Sequence, residues 1–110
     1  MKFKDKTVVV TGSRRGIGLG IALEFAKLGA NVVLNGTREI DAETLAQFDA
    51  YPGEVMTFVG DVSKFDVAEN FINEVKERFG RIDVLVNNAG ITRDGLLMRM
   101  SESDFDDVMN

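Results

Sequence analysis

The strongest constraint on this chain is a rhythm. Four short apolar runs, Thr7-Val8-Val9-Val10, Asn31-Val32-Val33-Leu34, Glu54-Val55-Met56-Thr57-Phe58-Val59 and Ile82-Asp83-Val84-Leu85-Val86, alternate with segments of helical spacing. The runs are β-branched and nearly solid, as in strands covered on both faces of a parallel sheet. Ile17, Ile21, Ala22, Phe25 and Leu28 predict a helix from Ile17 to Leu28, closed by Gly29. Asp41 to Phe48 predicts a shorter one. Val67, Phe71, Ile72, Val75 and Phe79 form one stripe of a helix over Phe65 to Phe79, with Ser63 as cap, Asp66 behind it and Gly80 as stop. A last helix is expected from near Ser101, with Asp104 in the capping-box position, still running at Asn110. The only proline, Pro52, falls in the loop before the third strand. The order β-α-β-α-β-α-β-α implies an α/β fold: a Rossmann-type doubly wound parallel sheet with helices on both faces.

Length and composition narrow the chemistry. The 110 residues suffice for one domain or part of one, and 45% apolar with 28% charged residues is ordinary for a globular protein. No apolar run exceeds three residues, so no membrane span is expected. Met1 to Lys6 lacks the apolar core of a secretory signal, so a cytoplasmic location is expected. There is no Cys, hence no disulfide and no thiol nucleophile, and no His, hence no imidazole catalysis and no His-ligated zinc. Thirteen basic against eighteen acidic residues give a net charge of −5, which speaks against a nucleic-acid footprint.

The first strand-to-helix turn carries the clearest motif. Thr11-Gly12-Ser13-Arg14-Arg15-Gly16-Ile17-Gly18 spaces its glycines as Gly-x-x-x-Gly-x-Gly. Gly12 would let the chain turn off the strand, Gly16 would clear space for a pyrophosphate, and Gly18 would let the helix press on the sheet. The helix N-terminus would then offer free N–H groups to the anion. A glycine-rich turn without a ligand would look the same in isolation; the strand before it and the helix after it favour the nucleotide reading. A P-loop is excluded, because Ile17 stands five residues after Gly12 and no Gly-Lys-Ser/Thr follows.

The second strand ends in Asn35-Gly36-Thr37-Arg38, without the acid that an NAD site places there; Glu39 comes late. Arg14, Arg15 and Arg38 supply guanidinium groups suited to a 2′-phosphate, so NADP(H) is expected over NAD(H). Asp61-Val62, after the third strand, could hold an adenine, Asp61 by accepting from its amino group and Val62 by packing; Asp61 could equally cap the following helix. Asn87-Asn88-Ala89-Gly90 ends the fourth strand, where small residues would let a ribose approach, although Asn87 could serve only to tie loops together.

Together these residues resemble the short-chain dehydrogenase/reductase family, and the likeness covers the whole chain. Within that family, Asn88 to Met100 is similar to the 3-oxoacyl-[acyl-carrier-protein] reductases of bacterial fatty acid synthesis. The resemblance implies reduction by NADPH of a 3-oxoacyl group carried on acyl carrier protein. It implies a homotetramer, with the helix near Ser101 at an interface; the charge balance and the short apolar runs leave no nucleic-acid or membrane partner expected. Cofactor-binding residues are expected to be Gly12, Ser13, Arg14, Arg15, Gly16, Ile17, Gly18, Asn35, Gly36, Thr37, Arg38, Asp61, Val62, Asn88, Ala89 and Gly90.

The resemblance also implies a catalytic Ser and a Tyr-x-x-x-Lys that fall later in the family's sequence. Tyr51, the only tyrosine, is followed four residues on by Val55 and lies before the third strand, so it is read as a packing residue. By family spacing Asn110 precedes the assisting helical Asn, and no residue here is assigned a catalytic role. The 110 residues are therefore read as the N-terminal part of a Rossmann-type domain expected to continue beyond residue 110, since a fourth strand left as an open edge would invite aggregation. Other readings are a family member acting on another carbonyl substrate, and a non-catalytic NADP(H)-binding module. Glu102, Asp104, Asp106 and Asp107 lack the spacing of a calcium loop and are read as a solvated face, so no metal is expected.

Overall fold

The computed structural model describes residues 2–88 and 107–109. The strands are Thr7–Val10 (β1), Asn31–Gly36 (β2), Val55–Val59 (β3), Val84–Val86 (β4) and Asp107–Met109 (β5). The helices are Gly16–Lys27 (α1), Ala42–Ala46 (α2) and Phe65–Phe79 (α3). All strand pairs are parallel, in the order β3-β2-β1-β4-β5. The chain therefore builds outward from β1 to β3 and then returns to the other side of β1. That reversal is the switch point at which doubly wound sheets bind ligands.

Successive strand residues point to opposite faces. Val9, Val33, Met56, Phe58 and Leu85 pack with Ala68, Phe71, Ile72 and Val75 of α3. Val8, Val10, Val32, Leu34, Val84 and Val86 pack on the other face with Ala22 and Ala26 of α1 and with Phe48 after α2. Helices thus cover both faces, which is why β1, β2 and β4 read as solid apolar runs. β3 differs: Met56 and Phe58 are buried, but Thr57 and Val59 are exposed. It lies at the sheet edge beside a helix of only five residues, so one of its faces is incompletely covered.

Several local expectations need correction. Ser63 does not cap α3; Lys64 holds the N-cap position without a side-chain bond, and Ser63 turns back to Asp61. The α1 stripe is also narrower than its spacing suggests. Ile17 is 78% and Leu28 38% exposed, whereas Gly18, Ala22 and Ala26 are buried, because small residues let α1 approach the sheet closely. The helix expected from Ser101 lies mostly outside the described residues, and where it was to continue, Asp107–Met109 instead pairs with Val84–Val86. β4 is consequently no open edge: the row of backbone groups it would present is used by β5. Capping signals are local and carry no information about such an edge.

Candidate functional site

The glycine-rich turn is held in shape by backbone chemistry. Gly12 and Gly16 take φ of 60° and 65°, the left-handed region that glycine enters without steric cost. Gly18 is buried below them, where a Cβ would collide with the Gly12 carbonyl and come 2.7 Å from Asn88 Nδ2. The space beside Gly16 is open, with nothing within 4 Å of a built Cβ. α1 starts here with no side-chain cap and no acidic residue in its first turn. Its first N–H groups and positive dipole end thus have neither a capping side chain nor a first-turn acid beside them.

The carboxyl ends of β1, β2 and β3 meet at a cleft of about 430 Å³. Three stretches far apart in sequence line it: Gly12, Arg14 and Arg15 from the turn, residues 35–38 at the end of β2, and residues 60–63 after β3. The structure thus brings together most of the residues singled out from sequence, and it divides them by what their polar atoms do.

Asn35 and Ser13 are turned inward. Asn35 is 2% exposed; its Oδ1 accepts the Gly12 N–H at 3.0 Å, and its Nδ2 donates to the carbonyls of Phe58 at 3.1 Å and Gly60 at 3.2 Å. Ser13, fully buried, donates its hydroxyl to the Val10 carbonyl at 2.7 Å and accepts the Asn35 N–H at 2.8 Å. These two side chains shape the cleft by tying the turn to β2 and the end of β3.

Asp61 is exposed, and its Oδ1 accepts both the hydroxyl and the N–H of Ser63. Those bonds, the hydroxyl first, hold the Asp61 carboxyl below its ordinary value, because they favour the charged form. The Asp-x-Ser spacing signals this turn, whereas the capping pattern alone assigns Ser63 to the helix. Val62 is 4% exposed and packs in the core under α3, so only its edge faces the cleft. Gly60, which no sequence motif marks, donates its N–H to the Gly36 carbonyl at 2.9 Å, extending the β2–β3 pairing to the rim.

The cations remain. Arg15 and Arg38 are exposed, as is Thr37. Arg14 is half-buried, and its Nε is buried with no acceptor among the described residues. An unpaired buried donor costs about 1–3 kcal/mol, which an arriving anion can relieve. No acid ends β2; Glu39 is exposed and does not line the cleft. Positive φ at Gly12 and Gly16, an uncapped helix and an orphan guanidinium nitrogen fit a group carrying several phosphates.

Asn88 donates to the Gly12 carbonyl at 2.9 Å and so ties the end of β4 to the turn, while Asn87 is half-buried at the strand end. Ala89 and Gly90 lie outside the described residues, as do Glu102, Asp104 and Asp106. Tyr51 is half-buried against the α1-side core, remote from this turn. Among the described residues, no helix is long and apolar enough to cross a membrane.

Comparison with known proteins follows the same lines. The family model for short chain dehydrogenases matches residues 6–110. The 3-oxoacyl-[acyl-carrier-protein] reductase FabG of Staphylococcus epidermidis is 44% identical over 108 residues, covering 96% of this chain. The chain spans only 44% of that relative's length. A metagenomic short-chain oxidoreductase solved in complex with NADP superposes with a TM-score of 0.71 at 39% identity, over 83% of this chain and 42% of that one. A 3-oxoacyl-[acyl-carrier protein] reductase from Brucella melitensis, solved in complex with NAD, gives a TM-score of 0.71 at 36% identity, over 77% of this chain and 33% of its own.

Proposed function

Because this chain belongs to the short-chain dehydrogenase family, we propose that it forms the cofactor-binding part of an NADPH-dependent reductase of 3-oxoacyl-[acyl-carrier-protein]. The observation that carries the cofactor choice is the cluster of Arg14, Arg15 and Arg38 around a β2 end without an acid. Guanidinium groups bind a phosphate dianion by paired, charge-assisted bonds, whereas an acid there would bind a free ribose diol. The substrate choice rests on the similarity to curated 3-oxoacyl-[acyl-carrier-protein] reductases.

In this reading the N–H groups at the start of α1 bind the pyrophosphate, with Gly16 leaving room for it and Ile17 beside it. Thr37 and the arginines hold the ribose 2′-phosphate. Asp61 accepts from the adenine amino group, and the edge of Val62 meets the ring. Asn88, Ala89 and Gly90 border the nicotinamide ribose. Ser13, Asn35 and Gly36 keep these segments in register. When bound, the nicotinamide supplies a hydride; no residue described here is assigned the proton transfer. The protein acts in the cytoplasm as a homotetramer, in fatty acid synthesis.

The full-length protein should consume NADPH when given an acetoacetyl thioester of acyl carrier protein, followed by loss of nicotinamide absorbance. No turnover, or NADH bound at least as tightly as NADPH, would overturn the proposal.

A further inference from the structure

We propose that the Asn35-Gly36 pair is a gated deamidation site, closed while the glycine-rich turn, β2 and β3 stay joined and opened when the edge strand β3 peels away. The inference is independent of the cofactor reading above. No other asparagine of the 110 residues precedes a glycine; Asn31, Asn70 and Asn73 precede Val32, Phe71 and Glu74. Glycine has no Cβ to shield its nitrogen or to restrict its rotation. In the reaction the main-chain nitrogen of Gly36 attacks the side-chain carbonyl carbon of Asn35. The bond from that carbon to Nδ2 breaks, the Gly36 amide proton passes through solvent to the departing nitrogen, and ammonia leaves a succinimide ring. Water then opens the ring at either carbonyl, giving aspartate or isoaspartate. Water is the only co-reactant.

The fold keeps the ring from closing. Asn35 and Gly36 are buried in β2, in register with Phe58 and Val59. The strand backbone is extended, whereas the attack needs the Gly36 nitrogen folded back over the side chain. Both ends of the Asn35 amide are also held: Oδ1 accepts the Gly12 N–H, and Nδ2 donates to the carbonyls of Phe58 and Gly60. Asn-Gly ordinarily marks an exposed turn; here its reaction must wait for an opening. β3 is where opening costs least. It ends the described sheet, Thr57 and Val59 are exposed, and the helix beside it has five residues. When its end lifts, the Phe58 and Gly60 carbonyls leave Asn35 and the Gly60 N–H leaves Gly36 in one event. Opening precedes the chemistry, so the rate follows the open population. The product cannot reclose. Aspartate sets a carboxylate against those two carbonyls, and isoaspartate adds a methylene to the main chain of β2, moving Gly36 out of register. A transient opening thus becomes a permanent one.

The test incubates the full-length protein in mildly alkaline buffer, folded and urea-unfolded, and follows each asparagine by peptide mass mapping with isoaspartyl methyltransferase labelling. Unfolded chains should convert Asn35 well ahead of Asn31, Asn70 and Asn73; equal rates there would overturn the proposal. Folded chains should convert Asn35 roughly tenfold slower or more, and an equal rate would show that the fold does not gate the site. F58A removes the stack on Phe71 but leaves every partner of Asn35, all backbone groups, in place. It should raise the folded rate by about threefold or more; an unchanged rate in a folded F58A would mean that β3 is not the gate. Should F58A fail to fold, the wild type in urea below its midpoint decides. Conversion should climb before the global transition, and conversion that starts only with the transition overturns the role of β3. The converted fraction, separated by its added negative charge, should unfold at lower urea than the untreated protein. An identical midpoint would show that the product recloses, against the proposal.

Discussion

The side-chain amide of Asn88 donates to the carbonyl of Gly12 at 2.9 Å, joining the end of β4 to the turn after β1 across 76 positions of sequence. Gly18 sits beneath this bond, and a Cβ on it would strike the Gly12 carbonyl and crowd Asn88. Gly18→Ala should therefore cost about 1–3 kcal/mol by overpacking and weaken nucleotide binding with it. Denaturant unfolding and a titration with NADPH check both effects. A stable variant that binds normally would show that the turn can open without loss.

Gly16 offers a contrast. It takes φ of 65°, but its missing Cβ faces open space. Gly16→Ala should cost only about 1–2 kcal/mol of backbone strain, while the added methyl would stand where the pyrophosphate is placed. Binding should thus fall by more than stability does. Equal losses in the two measurements would remove Gly16 from the anion site.

Asn35 uses both ends of its amide inside the protein. N35D keeps the shape but loses the donor, and sets a carboxylate against the carbonyls of Phe58 and Gly60. The expected destabilisation is roughly 2–4 kcal/mol, since a buried polar group is left unsatisfied. An unchanged denaturation midpoint would contradict this assignment.

Ser63 holds the Asp61 carboxyl below its ordinary value. A lowered folded-state pKa contributes stability that is present above the unfolded value and is lost as pH falls through the folded one. S63A should move the Asp61 titration upward toward the ordinary carboxylate range. Carboxyl-carbon NMR reads it directly, and superimposable curves for wild type and S63A would refute the cause.

Phe71 is 1% exposed and stacks on Phe58, with centroids 4.5 Å apart and planes at 22°. Phe71→Ala should cost about 3–5 kcal/mol, because it joins β3 to α3 and leaves a cavity. Chemical denaturation measures it; a loss below about 1 kcal/mol would mean that the core repacks around the gap.

Much of the architecture was legible in sequence because its signals are local. The α3 stripe of Phe71, Ile72 and Val75 identifies a helix wherever it occurs, and Gly80 ends it with φ of 84°. β1, β2 and β4 were readable because burial on both faces leaves no polar alternation. Asp83 shows where this reading thins. It lies within a run read as apolar, yet its Oδ2 accepts the Thr7 N–H at 2.7 Å and it pairs with Arg81. That bond secures the ends of β1 and β4 away from the cleft, and nothing near Asp83 in sequence announces it.

What the sequence by itself determined was the alternation of strands and helices, the glycine turn at the first crossover, and the residue types gathered at the strand ends. Only the tertiary structure decided which of those residues keep their polar atoms for a ligand. Asn35 and Ser13 are spent on each other's segments, Ser63 on Asp61, while Arg14 lies over Gly36 with a nitrogen that has no partner among the described residues. The reason is physical: periodicity along a chain encodes which face is apolar. Hydrogen-bond satisfaction depends on what other strands bring within about 3 Å, and no local pattern records that.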